Sequence, residues 1–99
     1  MTFRFNNLNY NLTDLSRRFG YHVIAETDRG ELNCVRPLQG QNYPRFHIYM
    51  SETKEIVTLN IHLDQKKPVY DGQTAHSGDY DSEVVKEEME RIKNILWEK

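Results

Sequence analysis

The chain has one cysteine, three prolines and five glycines among its 99 residues. A single thiol, Cys34, excludes an internal disulfide and a zinc site built from several cysteines. Thirteen Lys and Arg against 15 Asp and Glu leave no basic surplus, the usual mark of a non-specific nucleic-acid-binding protein. No apolar run approaches the roughly 20 residues of a membrane helix. The N-terminus also lacks the apolar segment of a signal peptide, so we expect a cytoplasmic protein with no membrane partner.

The composition favours one folded domain over residues 1–99. Hydrophobic residues make up 37% of the chain and aromatic residues 11%, which argues against disorder. No linker, repeat or low-complexity tract divides the sequence. A glycine-rich phosphate loop and a nucleophile elbow are both missing, and we expect no bound cofactor.

Two segments have the spacing of amphipathic helices. Near the C-terminus the apolar residues recur in steps of four, three and four, at Val85, Met89, Ile92 and Leu96. Asp81 is the first candidate for the N-cap of this helix and Ser82 the second. Its charged residues are expected to face solvent; they are Glu87, Glu88, Glu90, Arg91 and Lys93.

The N-terminal helix shows the same steps at Leu8, Leu12, Leu15 and Phe19, followed by Gly20 as a natural stop. Asparagine is a poor helix former, and the several asparagines before Leu12 predict a start at about residue 12 or 13.

Between the helices lie segments rich in β-branched and aromatic residues, at 21–26, 32–36, 45–50 and 56–63. Residues 51–55 have a usual length for a hairpin connection. Phe3 and Phe5 are candidates for a short edge strand. The order of helix, strands and helix predicts an α+β fold, with an antiparallel sheet of three to four strands and two helices packed on one face.

The last hairpin has one apolar and one polar face, because side chains alternate along a strand. The apolar set is Phe46, Ile48, Met50, Val57, Leu59, Ile61 and Leu63, and we expect the helices to cover it. The opposite set is Arg45, His47, Tyr49, Thr58, Asn60, His62 and Asp64. On this face His47 lies across from either Asn60 or His62, depending on the register.

Four interpretations of the polar face stay open. It is an ordinary solvated surface, an RNA-cleaving site, a metal site, or a surface for a protein partner. We favour an RNA-interacting protein with histidine-dependent ribonuclease activity, and keep the protein-interaction module and the metal-binding protein as alternatives. For RNA cleavage His47 and His62 would act as general base and acid. Phosphate would be held by Arg45, Lys66 and Lys67, and the substrate oriented by Tyr49 and Asn60. A metal would instead be ligated by His47, His62, Asp64 and His76. A protein partner would bind this face or the acidic C-terminal helix.

Two features outside this face have simpler explanations. Residues 64–80 form a long connection, which acts either as a lid or as a tether held by Tyr70 and Tyr80. Cys34 is expected to be a small core residue.

Two resemblances extend these expectations. The segments LSRRFGY at residues 15–21 and FHIY at 46–49 resemble HicA-type mRNA interferase toxins. That resemblance implies a fold like double-stranded-RNA-binding domains and histidine-dependent cleavage of mRNA. The catalytic histidine of the family corresponds to Phe46 here. The segments YPRFH at 43–47, HLDQKKP at 62–68 and AHSGDY at 75–80 resemble small proteins of ultra-small bacteria, and imply no particular activity.

Overall fold

The computed structural model describes residues 1–7, 10–38, 40–65, 78–79 and 82–97. It has the predicted α+β architecture. In chain order the elements are β1 (Thr2–Asn6), α1 (Leu12–Arg18), β2 (His22–Glu26), β3 (Leu32–Pro37), β4 (Arg45–Thr53), β5 (Ile56–Asp64), β6 (Gly78–Asp79) and α2 (Glu83–Leu96).

The sheet is larger than expected and begins earlier in the chain. Its strands are antiparallel in the order β1-β5-β4-β3-β2, and the two-residue β6 pairs with the end of β5. The expectation of three to four strands is therefore too low, and the order of helix, strands and helix is wrong because a strand comes first. The candidate edge strand at Phe3 and Phe5 is confirmed as β1. Residues 2–6 form a strand because apolar and polar residues alternate there, and Phe3 and Phe5 pair with Leu59 and Val57 of β5.

Both helices begin at residues with capping side chains. Asn11 precedes α1, and its side-chain oxygen accepts a hydrogen bond from the backbone N–H of Asp14 at 2.8 Å. Ser82 caps α2 by accepting from the N–H of Val85 at 3.3 Å. The second candidate cap is thus confirmed for α2, while Asp81 lies outside the described residues.

The core lies between one sheet face and the two helices. Leu15 of α1 and Phe19, the C-cap residue of that helix, are fully buried there, with Ile48 of β4. On α2 the predicted apolar stripe is buried at Val85, Met89 and Ile92 and partly buried at Leu96. The predicted apolar side of the last hairpin is also confirmed as core: Phe46, Ile48, Met50, Val57, Leu59, Ile61 and Leu63. Cys34 is buried as expected, and this burial raises the pKa of its thiol to about 11.

Glu88 corrects the expectation that the charged residues of α2 face solvent. Its side chain is only 2% exposed. The Tyr21 hydroxyl donates to it at 2.6 Å, and the guanidiniums of Arg36 and Arg91 each donate two hydrogen bonds to the carboxylate. Burial alone would raise the pKa of Glu88, but these hydrogen bonds hold it below its usual value. A buried carboxylate is stable here because it is fully paired.

The turn between β4 and β5 is shorter than expected. Thr53 pairs with Ile56, which leaves only Lys54 and Glu55 in the turn. Both have positive φ, at 52° and 69°. Two-residue hairpin turns of this kind match the twist of the strands, and they normally use Asn and Gly.

The sheet ends on one side at β2. All five of its residues are exposed, and its pairing with β3 shifts register between Val23 and Ala25. The irregularity is a β-bulge at an edge strand.

Candidate functional site

The polar face of the β4–β5 hairpin carries the candidate site. The register places Arg45 opposite Asp64, His47 opposite His62, and Tyr49 opposite Asn60. Of the two registers left open by the sequence, the structure has the one that pairs the histidines. Alternation then keeps this face directed away from the helices, because the intervening residues Phe46 and Ile48 point into the core.

Asp64 is the centre of the cluster. One of its carboxylate oxygens, Oδ1, lies 2.8 Å from Nε2 of His62. The other, Oδ2, lies 3.2 Å from Nδ1 of His47 and accepts a hydrogen bond from Nε of Arg45 at 3.4 Å. Asp64 is the last residue of β5. Its side chain contacts His62 on the same strand and His47 on the neighbouring strand β4. A single carboxylate therefore orients both imidazoles.

The second nitrogen of His47 faces β3. Nε2 lies 3.3 Å from the Oδ1 atom of Asn33. Burial lowers the pKa of His47 below its usual value of 6.5; the Asp64 carboxylate acts in the opposite direction, and His62 adds to the lowering. A neutral imidazole has only one N–H to share between these two oxygen atoms. The N–H therefore lies on Nδ1 and donates to Asp64, or on Nε2 and donates to Asn33, according to the tautomer. A metal ion bound at Nδ1 requires the second tautomer.

The aromatic rings form a stack beside the carboxylate. The ring of Tyr49 lies 4.6 Å from that of His47 at an interplanar angle of 26°, and 5.8 Å from that of His62 at 24°. The two imidazoles are 4.8 Å apart. Tyr49 remains 47% exposed, whereas His62 is buried. The stack restricts the histidine rings and leaves part of the tyrosine in solvent.

The residues predicted to bind phosphate or orient the substrate already have partners in the protein or lie outside the described residues. Arg45 pairs with Asp64, and its guanidinium also lies over the ring of Tyr43 at 4.5 Å. The Oδ1 atom of Asn60 accepts from the Thr2 hydroxyl at 2.9 Å, and Asn60 is opposite Tyr49 rather than beside the histidines. Lys66, Lys67 and His76 lie outside the described residues, as does the predicted tether through Tyr70 and Tyr80.

Asn33 is the site residue that the sequence interpretation missed. It lies between Leu32 and Cys34, both of which are buried beneath the helices. Alternation alone therefore places Asn33 on the polar face. Its contact with His47 requires the β3–β4 register, in which Asn33 is opposite Tyr49 and Val35 is opposite His47.

The arrangement has the donor set of a metal centre. His47, His62 and Asp64 each offer one ligand atom, and these atoms all lie within 4.8 Å of one another. Imidazole and carboxylate are ligands that suit Zn²⁺ and related ions. In a tetrahedral site with bonds of about 2.0–2.1 Å, neighbouring ligand atoms are about 3.3 Å apart. Nε2 of His62 lies 2.8 Å from Oδ1 of Asp64 and Nδ1 of His47 lies 3.2 Å from Oδ2, so each imidazole faces a different oxygen of the same carboxylate at about that spacing.

Comparisons with known proteins do not assign this chain to a family. No protein-family model, curated protein or solved structure matches the chain. Both resemblances proposed from short motifs therefore stay predictions. Phe46, at the position of the toxin family's catalytic histidine, is buried in the core. Within the described part of the chain, neither helix combines the length and apolar character needed to span a membrane.

Proposed function

We propose that this protein binds a divalent transition-metal ion, with Zn²⁺ as the best fit, through His47, His62 and Asp64. The observation that carries the proposal is the convergence of their three ligand atoms within 4.8 Å. The ligands come from paired positions on two hydrogen-bonded strands and from a strand end, so little backbone movement is needed to close them on an ion.

The surroundings of the three ligands support this function. Histidine ligands usually donate their second N–H to an oxygen atom, which fixes the tautomer that presents a lone pair to the metal. The contact between Nε2 of His47 and Oδ1 of Asn33 provides that partner. Arg45 donates a hydrogen bond to the Asp64 carboxylate at Oδ2, the oxygen that also faces His47. Three protein ligands would leave a position for water, as in catalytic zinc sites.

Titration of the chelator-treated protein with Zn²⁺, followed by calorimetry, tests the proposal. We expect one ion per chain. Loss of an outer-shell partner costs roughly 10- to 100-fold in metal affinity, so His62→Gln and Asp64→Asn should each weaken binding by more than that. His22→Gln is the matched control, because His22 is an exposed histidine on β2. Equal affinity in the His62 and His22 variants would contradict the proposal.

A second candidate function is histidine-dependent cleavage of RNA. It is favoured by the imidazole rings of His47 and His62, which lie 4.8 Å apart, and by the lowered pKa of His47, which suits a proton acceptor. Metal binding is the better-supported proposal, because a nitrogen of each ring faces the same carboxylate, which completes a set of three ligands.

Cleavage of a labelled RNA in the presence of a chelator separates the two functions. A nuclease of this kind would remain active without metal and would lose activity in both His47→Ala and His62→Ala. Cleavage that persists in both variants, or no cleavage at all, would count against it without affecting the zinc titration.

A further inference from the structure

A small polar pocket opens on the same sheet face, on the far side of Tyr49 from the histidines. It has a volume of about 280 Å³. Its lining includes the row formed by Asn33, Tyr49 and Asn60, in which Tyr49 of β4 is opposite Asn33 of β3 on one side and Asn60 of β5 on the other. Ser51 and Thr58 line it two residues further along β4 and β5, whereas His47 and His62 lie two residues in the other direction.

The tyrosine ring forms an aromatic wall for this pocket. One side of the ring is stacked against His47. The pocket lies on the Ser51 side of Tyr49, a residue that is 47% exposed overall. A flat aromatic ligand would extend the existing stack of rings in an offset arrangement, the geometry that aromatic groups prefer.

The polar groups around the ring can both donate and accept hydrogen bonds. Oδ1 of Asn60 already accepts from Thr2, and Oδ1 of Asn33 faces His47, so each amide retains its nitrogen as a donor. Thr27 lines the rim and accepts from two backbone N–H groups, which leaves its hydroxyl hydrogen to donate. The carboxylate of Glu31 is an acceptor on the same rim.

The charge and volume of the pocket restrict the charge and size of a ligand that it can hold. Among the described residues that line it, Glu31 is the sole charged side chain. Phosphate and carboxylate groups are therefore disfavoured inside it. The small volume also falls just below the roughly 300–1,000 Å³ of sites for drug-sized ligands, and the strands on either side of β4 are about 10 Å apart.

We infer that this pocket binds a nucleobase, stacked on Tyr49 and recognised along its edge by Asn33, Asn60 and Glu31. Bases combine a flat aromatic face with alternating donors and acceptors on the edge, and protein sites commonly hold them by stacking on an aromatic side chain. The base comes either from a free nucleoside or from single-stranded RNA. The inference is independent of zinc, because none of the three proposed ligands lines the pocket.

Titration of the ¹⁵N-labelled, chelator-treated protein with adenosine, cytidine and uridine tests the inference by NMR. We expect saturable shifts of the Asn33, Ser51 and Thr58 amides and small shifts on α2. Tyr49→Ser should weaken binding by roughly 5- to 150-fold, the range that stacking of one base supports. Tyr49→Phe keeps the ring and should bind nearly as well. Tyr10→Ser, which removes another exposed tyrosine, is the matched control.

Titrations with nucleotides and with single-stranded RNA identify the source of the base. Nucleoside 5′-monophosphates should bind no better than nucleosides, since the pocket offers no cation among its described lining residues. Tighter binding of a short single-stranded RNA would identify the strand as the ligand, and equal binding would identify the nucleoside. The inference is overturned if no nucleoside shifts these amides, if a methyl glycoside shifts them equally, or if Tyr49→Ser and Tyr10→Ser bind alike. The chelator excludes zinc from the titration, so failure here leaves the metal proposal standing.

Discussion

The hydroxyl of Tyr21 donates a 2.6 Å hydrogen bond to the buried carboxylate of Glu88, joining the residue before β2 to the middle of α2. Hydrogen bonds to charged groups contribute about 1.5–3 kcal/mol. We expect Tyr21→Phe to lower the free energy of unfolding by an amount in that range, as measured by urea denaturation. Tyr10→Phe, at an exposed tyrosine, should change it little. Equal effects of the two variants would show that the bond contributes nothing to stability.

Glu88 also predicts how stability depends on pH. Its pKa in the folded protein lies below the usual value of about 4.5. A lowered carboxylate pKa stabilises the fold above the unfolded pKa, and this stabilisation is lost as pH falls through the folded pKa. We therefore expect the free energy of unfolding to decrease as the pH is lowered below about 4.5. The decrease should be smaller in Glu88→Gln, and an unchanged pH profile in that variant would contradict this account.

Met89 tests the core between α2 and the sheet. Met89→Asp places a carboxylate at a buried position and should cost roughly 2–5 kcal/mol of stability. The matched control is Val84→Asp, since Val84 lies on the same helix and is 44% exposed. Urea midpoints that shift equally in the two variants would mean that the buried face of α2 is wrongly assigned.

The β4–β5 turn predicts a stabilising change. Lys54 and Glu55 have positive φ, which costs side chains with a Cβ atom roughly 1–2 kcal/mol per residue. Replacing the pair with Asn and Gly should raise the free energy of unfolding by about 1 kcal/mol, because these residues suit a two-residue hairpin turn. Glu55→Ala retains a Cβ atom and should give no such gain in the same thermal or urea unfolding measurement.

Asn33 connects the candidate metal centre to β3. Asn33→Val removes the oxygen atom that faces Nε2 of His47, so we expect Zn²⁺ affinity to fall by about 10- to 100-fold in calorimetric titration. Thr58→Val alters the same sheet face one row beyond Tyr49 and should leave zinc affinity unchanged. If both variants bind zinc like the unmodified protein, Asn33 does not position His47.

The local sequence pattern predicts the position of His47 in the site but not the burial of Glu88. A period of two along β4 and β5 suffices to place His47 and His62 on one face, and hairpin pairing brings them together. Glu88 borders the apolar stripe of α2, three residues after Val85. Its burial depends on Tyr21 and Arg36, which arrive from elsewhere in the chain. Such partners cannot be identified from the local pattern of one helix.

The bulge in β2 also bears on how the protein behaves at high concentration. An edge strand exposes backbone N–H and C=O groups to which a strand of another molecule can add. Ile24 is 51% exposed and lies within the register shift, so an apolar side chain and an open edge coincide there. By interrupting the regular spacing of the backbone groups, the bulge opposes the addition of a further strand along β2.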